Sequence, residues 1–477
     1  MKTKNILIPF ALGVTAAACT TSKEKEQSQP NIVWLIAEDL SPDFSFYGVK
    51  GAETPTLERM AKEGVCFQNA FAAASISSAS RSGFVTGMYQ TAIKGANCHR
   101  PLPENFQPLP AGCKTVFDLF HDAGYFVDYN GKKDLNFAPI GYGIKDRDLK
   151  DRKEGQPFFM VLQSKYTHRT FKGDKNNPID PMTLDLPPHY PEHPLTRKDF
   201  GRYFEDIQLL DHWVSDQLAM LKEKGLLDNT IVVFFGDHGR PHVRDKQFLY
   251  EGGTKVPLIM QAFGRKMETV DAKKLVSLVD LAPTMLDLAG LKVPDFMQGQ
   301  AIFSDKKERE YVAMARDRCG DAMDHIRAIR TKKYHFIKNE MPEVPWMQLS
   351  SYKKIQYPVY TLLKVLHAEG KLTPEQEYFM QDKKPVYELY DVEKDPHQLY
   401  NLAESKPEIV KEMNQKLEQW KKETNDVFYD PDEAAGQLEA VYASKAEWLK
   451  GWYKKNGFEK EPTDLELLDY WMKKYEL

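Results

Sequence analysis

"NIVWLIAEDL", residues 31–40, is apolar without a break over 32–37 and then ends on two acids, Glu38 and Asp39. A short continuous apolar run reads as a strand buried on both faces of a parallel sheet. Its carboxyl end opens at the sheet edge where α/β proteins bind ligands. "TIVVFFGDHG", residues 230–239, repeats the pattern and ends on Asp237 and His238. Between them, "PTLERMAKEG" (55–64), "TVFDLFHDAGYF" (115–126) and "QPFFMVLQS" (156–164) alternate helical and strand periods in the βαβ manner, and residues 198–225 form a long amphipathic helix closed by Gly225. After residue 290 the texture changes. "HIRAIRTKKYHFIKN" (325–339) and "PVYELYDVEKDP" (385–396) read as strands of a smaller antiparallel sheet, followed by helices such as 407–423. The expected fold class is α/β: a large, mostly parallel sheet flanked by helices over 31–310, then a smaller C-terminal α+β subdomain, 311–477, built on an antiparallel sheet.

Adjacent acids at one strand end repel each other unless a cation sits between them. Three carboxylates, Glu38, Asp39 and Asp237, suit a hard divalent ion, whereas His238 is a softer ligand. A second cluster lies in "SISSASRSGFVTG", residues 75–87, which crowds Ser77, Ser78, Ser80 and Ser82 around Arg81. Serine is a favoured helix N-cap, which explains one hydroxyl. It does not explain Arg81, whose charge is unfavourable near the positive end of a helix dipole unless an anion offsets it. Backbone N–H groups at a helix N-terminus plus an arginine fork make a site for a tetrahedral oxyanion.

The chain has 477 residues, 42% of them hydrophobic, enough for one large domain and a smaller one. Its 65 Lys+Arg are spread without a long basic run and the net charge is -4, so no nucleic-acid partner is indicated. Residues 1–18 carry lysines at 2 and 4 and an apolar stretch too short to span a bilayer, the pattern of a signal peptide. Ala16, Ala17 and Ala18 before Cys19 resemble a lipoprotein cleavage site, with Ala16 where leucine is usual. Residues 19–30 then form a polar tether, and the expected location is the periplasm or cell surface, with membrane contact only through a lipid anchor at Cys19. Cys66, Cys98, Cys113 and Cys319 match no metal motif and allow at most one or two bridges.

The motif S-x-A-S-R-x-x-x-x-T-G at residues 77–87 resembles the signature of the type I sulfatases, members of the alkaline-phosphatase-like superfamily, with Phe84 where leucine is common. Other elements follow in family order. "NIVWLIAEDL" and "FFGDHG" resemble its two metal strands, with Glu38 where Asp is commoner. "GKKDL" (131–135) resembles its G-K-x-H-L, with Asp134 in place of histidine; "THRTF" is similar to its P-H-x-P-F through His168; and Lys246 precedes "YEGG" by four positions. "YELYDVEKDPHQLYNLA" resembles the family's C-terminal strand, and "KKETNDVFYDPDEAAG" (421–436) resembles the closing segment of N-sulfoglucosamine sulfohydrolases.

The resemblance implies that Ser77 is converted to formylglycine (3-oxoalanine). A plain serine sulfate ester would stall after one turnover, whereas an aldehyde hydrate attacks sulfur with one hydroxyl and expels sulfate by deprotonating the other. A serine at this place implies an anaerobic sulfatase-maturating enzyme as partner. The resemblance further implies Ca2+ held by Glu38, Asp39, Asp237 and His238, with Arg81 on the hydrated residue, Lys132 and Lys246 on the sulfate oxygens, and His168 as general acid. Outside the motifs, lysines are mostly solvated and a lone histidine is usually structural. His99, Arg100, Asp317 and Arg318 lie where related enzymes reach the sugar, and Asp134 stands where the family histidine touches the diol. The expected activity is that of a carbohydrate sulfatase removing sulfate esters, or an N-sulfate as a sulfamidase does, from the terminal sugar of sulfated oligosaccharides such as glycosaminoglycan fragments. The alternatives are a phosphatase or phosphonate monoester hydrolase of the same superfamily and a catalytically inactive glycan-binding lipoprotein.

Overall fold

The computed structural model describes residues 29–138, 141, 145–304 and 307–477. The expected leader, Cys19 and all but the end of the tether lie outside them. Strands β1 (Asn31–Ala37), β2 (Val65–Cys66), β4 (Phe126–Tyr129), β5 (Phe158–Ser164), β6 (Thr230–Gly236) and β7 (Leu258–Phe263) form one sheet, with β3 (Asn69–Phe71) and β8 (Leu275–Ser277) pairing apart from it. The sheet order is β2, β7, β6, β1, β5, β4. The central strands run parallel and β7 runs antiparallel to β6, so the sheet is mostly parallel as expected.

β1 is buried on both faces because its side chains alternate between two cores. Val33, Leu35 and Ala37 pack with Phe200, Tyr203, Ile207 and Leu210 of the long helix Pro194–Glu223. Ile32, Trp34 and Ile36 pack on the other side with Phe84 and Val85 of helix Ser77–Thr86 and Phe117 of helix Val116–Asp122. Trp34 meets four phenylalanines edge-on, at centroid distances of 5.0 to 5.8 Å. Truncating it to alanine would cost about 3–5 kcal/mol. In register, Ala37 pairs with both Ser164 and Gly236, so Glu38, Asp39, Asp237 and His238 emerge at one sheet edge.

The second sheet orders as β12 (Tyr387–Asp391), β11 (Tyr334–Asn339), β10 (Ile326–Arg330) and β9 (Val312–Arg316), all antiparallel, under Met413, Leu417 and Trp420 of helix Pro407–Glu423. β9 has no counterpart in the sequence reading, because its five residues sit between charged stretches. The long helix begins earlier than read, at Pro194, where the His193 side chain accepts from the Leu195 N–H at 3.1 Å. The C-terminal helices Leu438–Lys455 and Asp464–Lys474 fold back on the large part. Trp471 packs against Leu195 and Leu362, and Tyr475 donates to Asp199 at 2.7 Å. The four described cysteines are free thiols.

Candidate active site

Ser77 opens helix Ser77–Thr86, whose ten residues are all buried, and no serine side chain caps its first turn. Each hydroxyl is spent elsewhere. Ser77 Oγ lies 3.1 Å from His238 Nε2, Ser78 Oγ lies 2.6 Å from His99 Nδ1, Ser80 Oγ donates to the Asp237 carbonyl at 2.5 Å, and Ser82 Oγ donates to the Ser78 carbonyl at 2.7 Å. The first turn therefore has no serine cap, and Arg81 follows it directly.

Arg81 is fully buried. Its Nε donates to Asp237 Oδ2 at 3.0 Å and its Nη1 to Gln163 Oε1 at 2.7 Å. Asp39 takes a left-handed backbone conformation, φ 56°, and its N–H donates to Asp237 Oδ1 at 2.9 Å, which turns the two carboxylates toward each other. Asp39, Asp237 and His238 bring a ligand atom apiece to within 4.8 Å of one another. Asp39 Oδ1 is buried and without a hydrogen-bond donor, whereas Glu38, expected among the ligands, lies outside this group and turns its Oε2 to Lys132 Nζ at 3.0 Å. His238 Nδ1 sits 2.9 Å from the Gly239 carbonyl, which can only accept, so the ring hydrogen is there and the Nε2 lone pair faces Asp39 Oδ1 at 3.0 Å. Electron-rich atoms this close, with an orphaned carboxylate oxygen among them, fit a hard cation. Burial opposes the charge on Asp39, but the Lys246 ammonium beside it holds the carboxyl well below the usual range. Burial likewise opposes charge on Asp237, which the Arg81 guanidinium pulls down.

Cations ring this edge. Lys246 Nζ lies 2.5 Å from Asp39 Oδ2, and Lys132 Nζ lies 3.0 Å from Glu38 Oε2 and 3.2 Å from Asp134 Oδ2. His168 Nε2 stands 4.0 Å from Asp39, and its Nδ1 lies 2.7 Å from the Arg169 carbonyl. Burial pushes the His168 pKa down despite Asp39. Arg100 forks onto Asp134 at 3.1 and 3.2 Å. Asp134 is thus held ionised against burial by His99, Lys132 and Arg100. Ser77, His99, Arg100, Lys132, His168 and Lys246 all line one cavity of about 480 Å³, within the usual range for small-molecule sites.

Two of the expected sugar contacts are placed elsewhere. Arg318 is fully buried, with Nη2 2.6 Å from Asp432 Oδ2 and 3.0 Å from Asp430 Oδ1 and with Nε also on Asp430. Asp317 is buried against Arg327 Nη1 at 2.7 Å. Charges this deep need ion partners, and these two find them inside the protein rather than in the cavity. The next residues, Cys319, Gly320 and Asp321, line it instead. The sequence reading also missed Gln163, Tyr352, Lys445 and Trp448. Gln163 sits near the carboxyl end of β5, where the strand-end rule could have found it. Tyr352, whose ring centroid is 5.2 Å from Lys246 Nζ, and the pair on helix Leu438–Lys455 gave no local signal.

Comparison with known proteins places this geometry. The family model described as Sulfatase matches residues 30–150 and 145–291, and the model for the C-terminal part of N-sulphoglucosamine sulphohydrolase matches 236–349, upstream of residues 421–436, where the sequence had suggested it. An ulvan-active sulfatase of Formosa agariphila is 33% identical over 452 residues, covering 83% of this chain and 75% of the relative. Human N-sulphoglucosamine sulphohydrolase is 24% identical, covering 83% and 90%. A protein solved with its substrate D-glucosamine-2-N,6-O-disulfate superposes with a TM-score of 0.59 at 18% identity, covering 85% of this chain and all of that one. With the family model matching more than half of its length, the chain belongs to the sulfatase family and is a sulfuric ester hydrolase.

Proposed function

We propose that the protein is a carbohydrate sulfatase that works through a formylglycine formed at Ser77 and a calcium ion held by Glu38, Asp39, Asp237 and His238. The observation that carries this reading is the position of Ser77 Oγ, 3.1 Å from His238 Nε2, at the base of a cavity ringed by Lys132, Lys246 and His168. The relatives named for ulvan, N-sulphoglucosamine and a glucosamine disulfate support a sugar as the alcohol part of the ester. The modified residue would supply a hydrated aldehyde as nucleophile, and the calcium ion a Lewis acid beside it.

The remaining roles belong to the chain's own side chains. Arg81, fixed by Asp237 and Gln163, offers its charge beside Ser77. Lys132 and Lys246, paired with Glu38 and Asp39, turn to the sulfate oxygens when substrate enters. His168 Nε2 holds or gives the proton at the bridging oxygen, because its Nδ1 is committed to the Arg169 carbonyl. Among the described residues there is a single cluster of three or more metal-ligating side chains, which does not favour a phosphatase with a second metal cluster.

A cavity walled on one side by helix Leu438–Lys455 suits a terminal sugar, which supports an exo-acting enzyme on oligosaccharides. The periplasmic or surface location, with a lipid at Cys19, rests on the sequence alone. The deciding measurement is the mass of the Ser77 peptide from the native host, expected to lack two hydrogens, together with sulfate release from intact polysaccharide and from short oligosaccharides. Unmodified serine overturns the formylglycine route. Equal rates per sulfate on both substrates overturn the exo reading.

A further inference from the structure

Helix Leu438–Lys455 lies beyond both stretches matched by family models, which end at residues 291 and 349. It nevertheless builds one wall of the cavity. Val441, Ser444, Lys445 and Trp448 recur at steps of three and four, which puts them on one helix face, and all four line the cavity that holds Ser77. The approach to this helix is clamped. Arg318 holds Asp430 and Asp432, Arg327 Nη2 reaches Asp426 at 2.8 Å, and Lys94 lies 4.3 Å from the Tyr429 ring centre. The wall is thus fixed relative to Ser77 rather than loosely attached.

Two side chains on this wall have unfinished interactions. Trp448 lines the cavity and is 41% exposed in total. Lys445 is half-buried, with Nζ 5.4 Å from the Trp448 ring centre, and has no ion-pair partner among the described residues. The other lining cations are matched: Lys132 by Glu38 and Asp134, Lys246 by Asp39, Arg100 by Asp134. The acid nearest in effect, Asp321, is already engaged with the Ser351 N–H at 3.0 Å and with the Ser351 hydroxyl. Burial, with Arg100 and Arg318 nearby, presses Lys445 toward its neutral form against the pull of Asp321. A half-buried cation facing a cavity without a counter-ion is stabilised when a ligand brings one.

Building on the carbohydrate sulfatase reading, we propose that Trp448 and Lys445 form the recognition site for the leaving-group sugar. Trp448 lies against the apolar face of the ring and Lys445 holds a second anion on the same sugar or its neighbour. The substrate is therefore a sulfated sugar unit carrying a further negative group, either a uronate carboxylate or another sulfate ester.

The test is calorimetric binding to full-length Ser77→Ala protein, which needs no turnover. Three sulfated disaccharide probes are compared: one with a uronate carboxylate, the same probe with that carboxyl reduced to the alcohol, and the reduced probe with a second O-sulfate. The unsubstituted wall is expected to bind the dianionic probes more tightly. Lys445→Met should erase that preference, by about tenfold or more, leaving the reduced probe unchanged. Trp448→Ala should weaken all three probes while sparing inorganic sulfate. The carboxylate arm and the sulfate arm tell the two anions apart. No preference for a dianionic probe, or an equal loss on all three with Lys445→Met, overturns the proposal. Sulfate release from the same probes by protein from the native host bears on the chemistry alone, so a failure there is separable from a failure of recognition.

Discussion

Ser77 exposes 2% of its surface and Arg318 none, yet their removal should have opposite consequences. Ser77→Ala takes away a small hydroxyl and nothing that the fold leans on. Protein from the native host carrying it should release no sulfate while melting within a few degrees of the parent. Retained turnover would sink the Ser77 route. Arg318→Ala strands Asp430 and Asp432 in the interior without their cation, a loss of about 3–5 kcal/mol that urea unfolding should detect. His335 gives the pH dependence. It is fully buried, accepts from Gln398 Nε2 at 2.9 Å, and has Glu251 3.8 Å away. Burial, aided by Arg330 and opposed by Glu251, lowers its pKa to about 3. The unfolded chain, with an imidazole pKa of about 6.5, takes up a proton the folded chain refuses. Its contribution is thus complete above that pH and is lost as pH falls toward 3, by about 2 kcal/mol at pH 5. His335→Gln should lessen the fall in urea-derived stability between pH 7 and pH 5 by that amount, and an unchanged slope would refute the assignment.

The turn Glu251–Thr254 shows how an element, rather than a side chain, places a functional group. A Cβ on Gly253 would lie 2.2 Å from the carbonyl oxygens of both Asp245 and Phe248, the segment that carries Lys246. Because backbone cannot yield cheaply, Gly253→Ala should shift Lys246 and lower kcat/KM about a hundredfold, measured as sulfate release from an aryl sulfate. Elements of this kind decide what could be read from the sequence. β1 and β6 were legible because an apolar run ending in Glu38-Asp39 or Asp237-His238 has few other meanings, and helix Ser77–Thr86 because its serines and Arg81 fall within six consecutive residues. The burial of Asp317 and Arg318 was not legible. Their partners Arg327, Asp430 and Asp432 are set by the crossing of β10 and the segment 426–432, and nothing local distinguishes a charge bound for the interior from one bound for a ligand. Helix Leu438–Lys455 reads as an ordinary amphipathic helix, and only its place in the fold turns Lys445 and Trp448 toward Ser77.

For the molecule as a whole, the proposed calcium site at the edge of the large sheet would couple folding to cation binding. A ligand that binds only the folded state stabilises it by about 2.7 kcal/mol at a hundred times its dissociation constant. Calcium added to chelator-treated protein should therefore raise the calorimetric Tm by several degrees, and more than zinc does. A larger rise with zinc would contradict the hard-cation reading. The cavity has one more implication, for biogenesis. Its base is formed near residue 77 and its wall near residue 445, so the cavity is complete only after the more than 360 residues between them have been made and packed. A cavity of about 480 Å³ is of the size that holds a sugar. Under the proposed formylglycine route, the enzyme that oxidises Ser77 would have to reach it before that wall has packed.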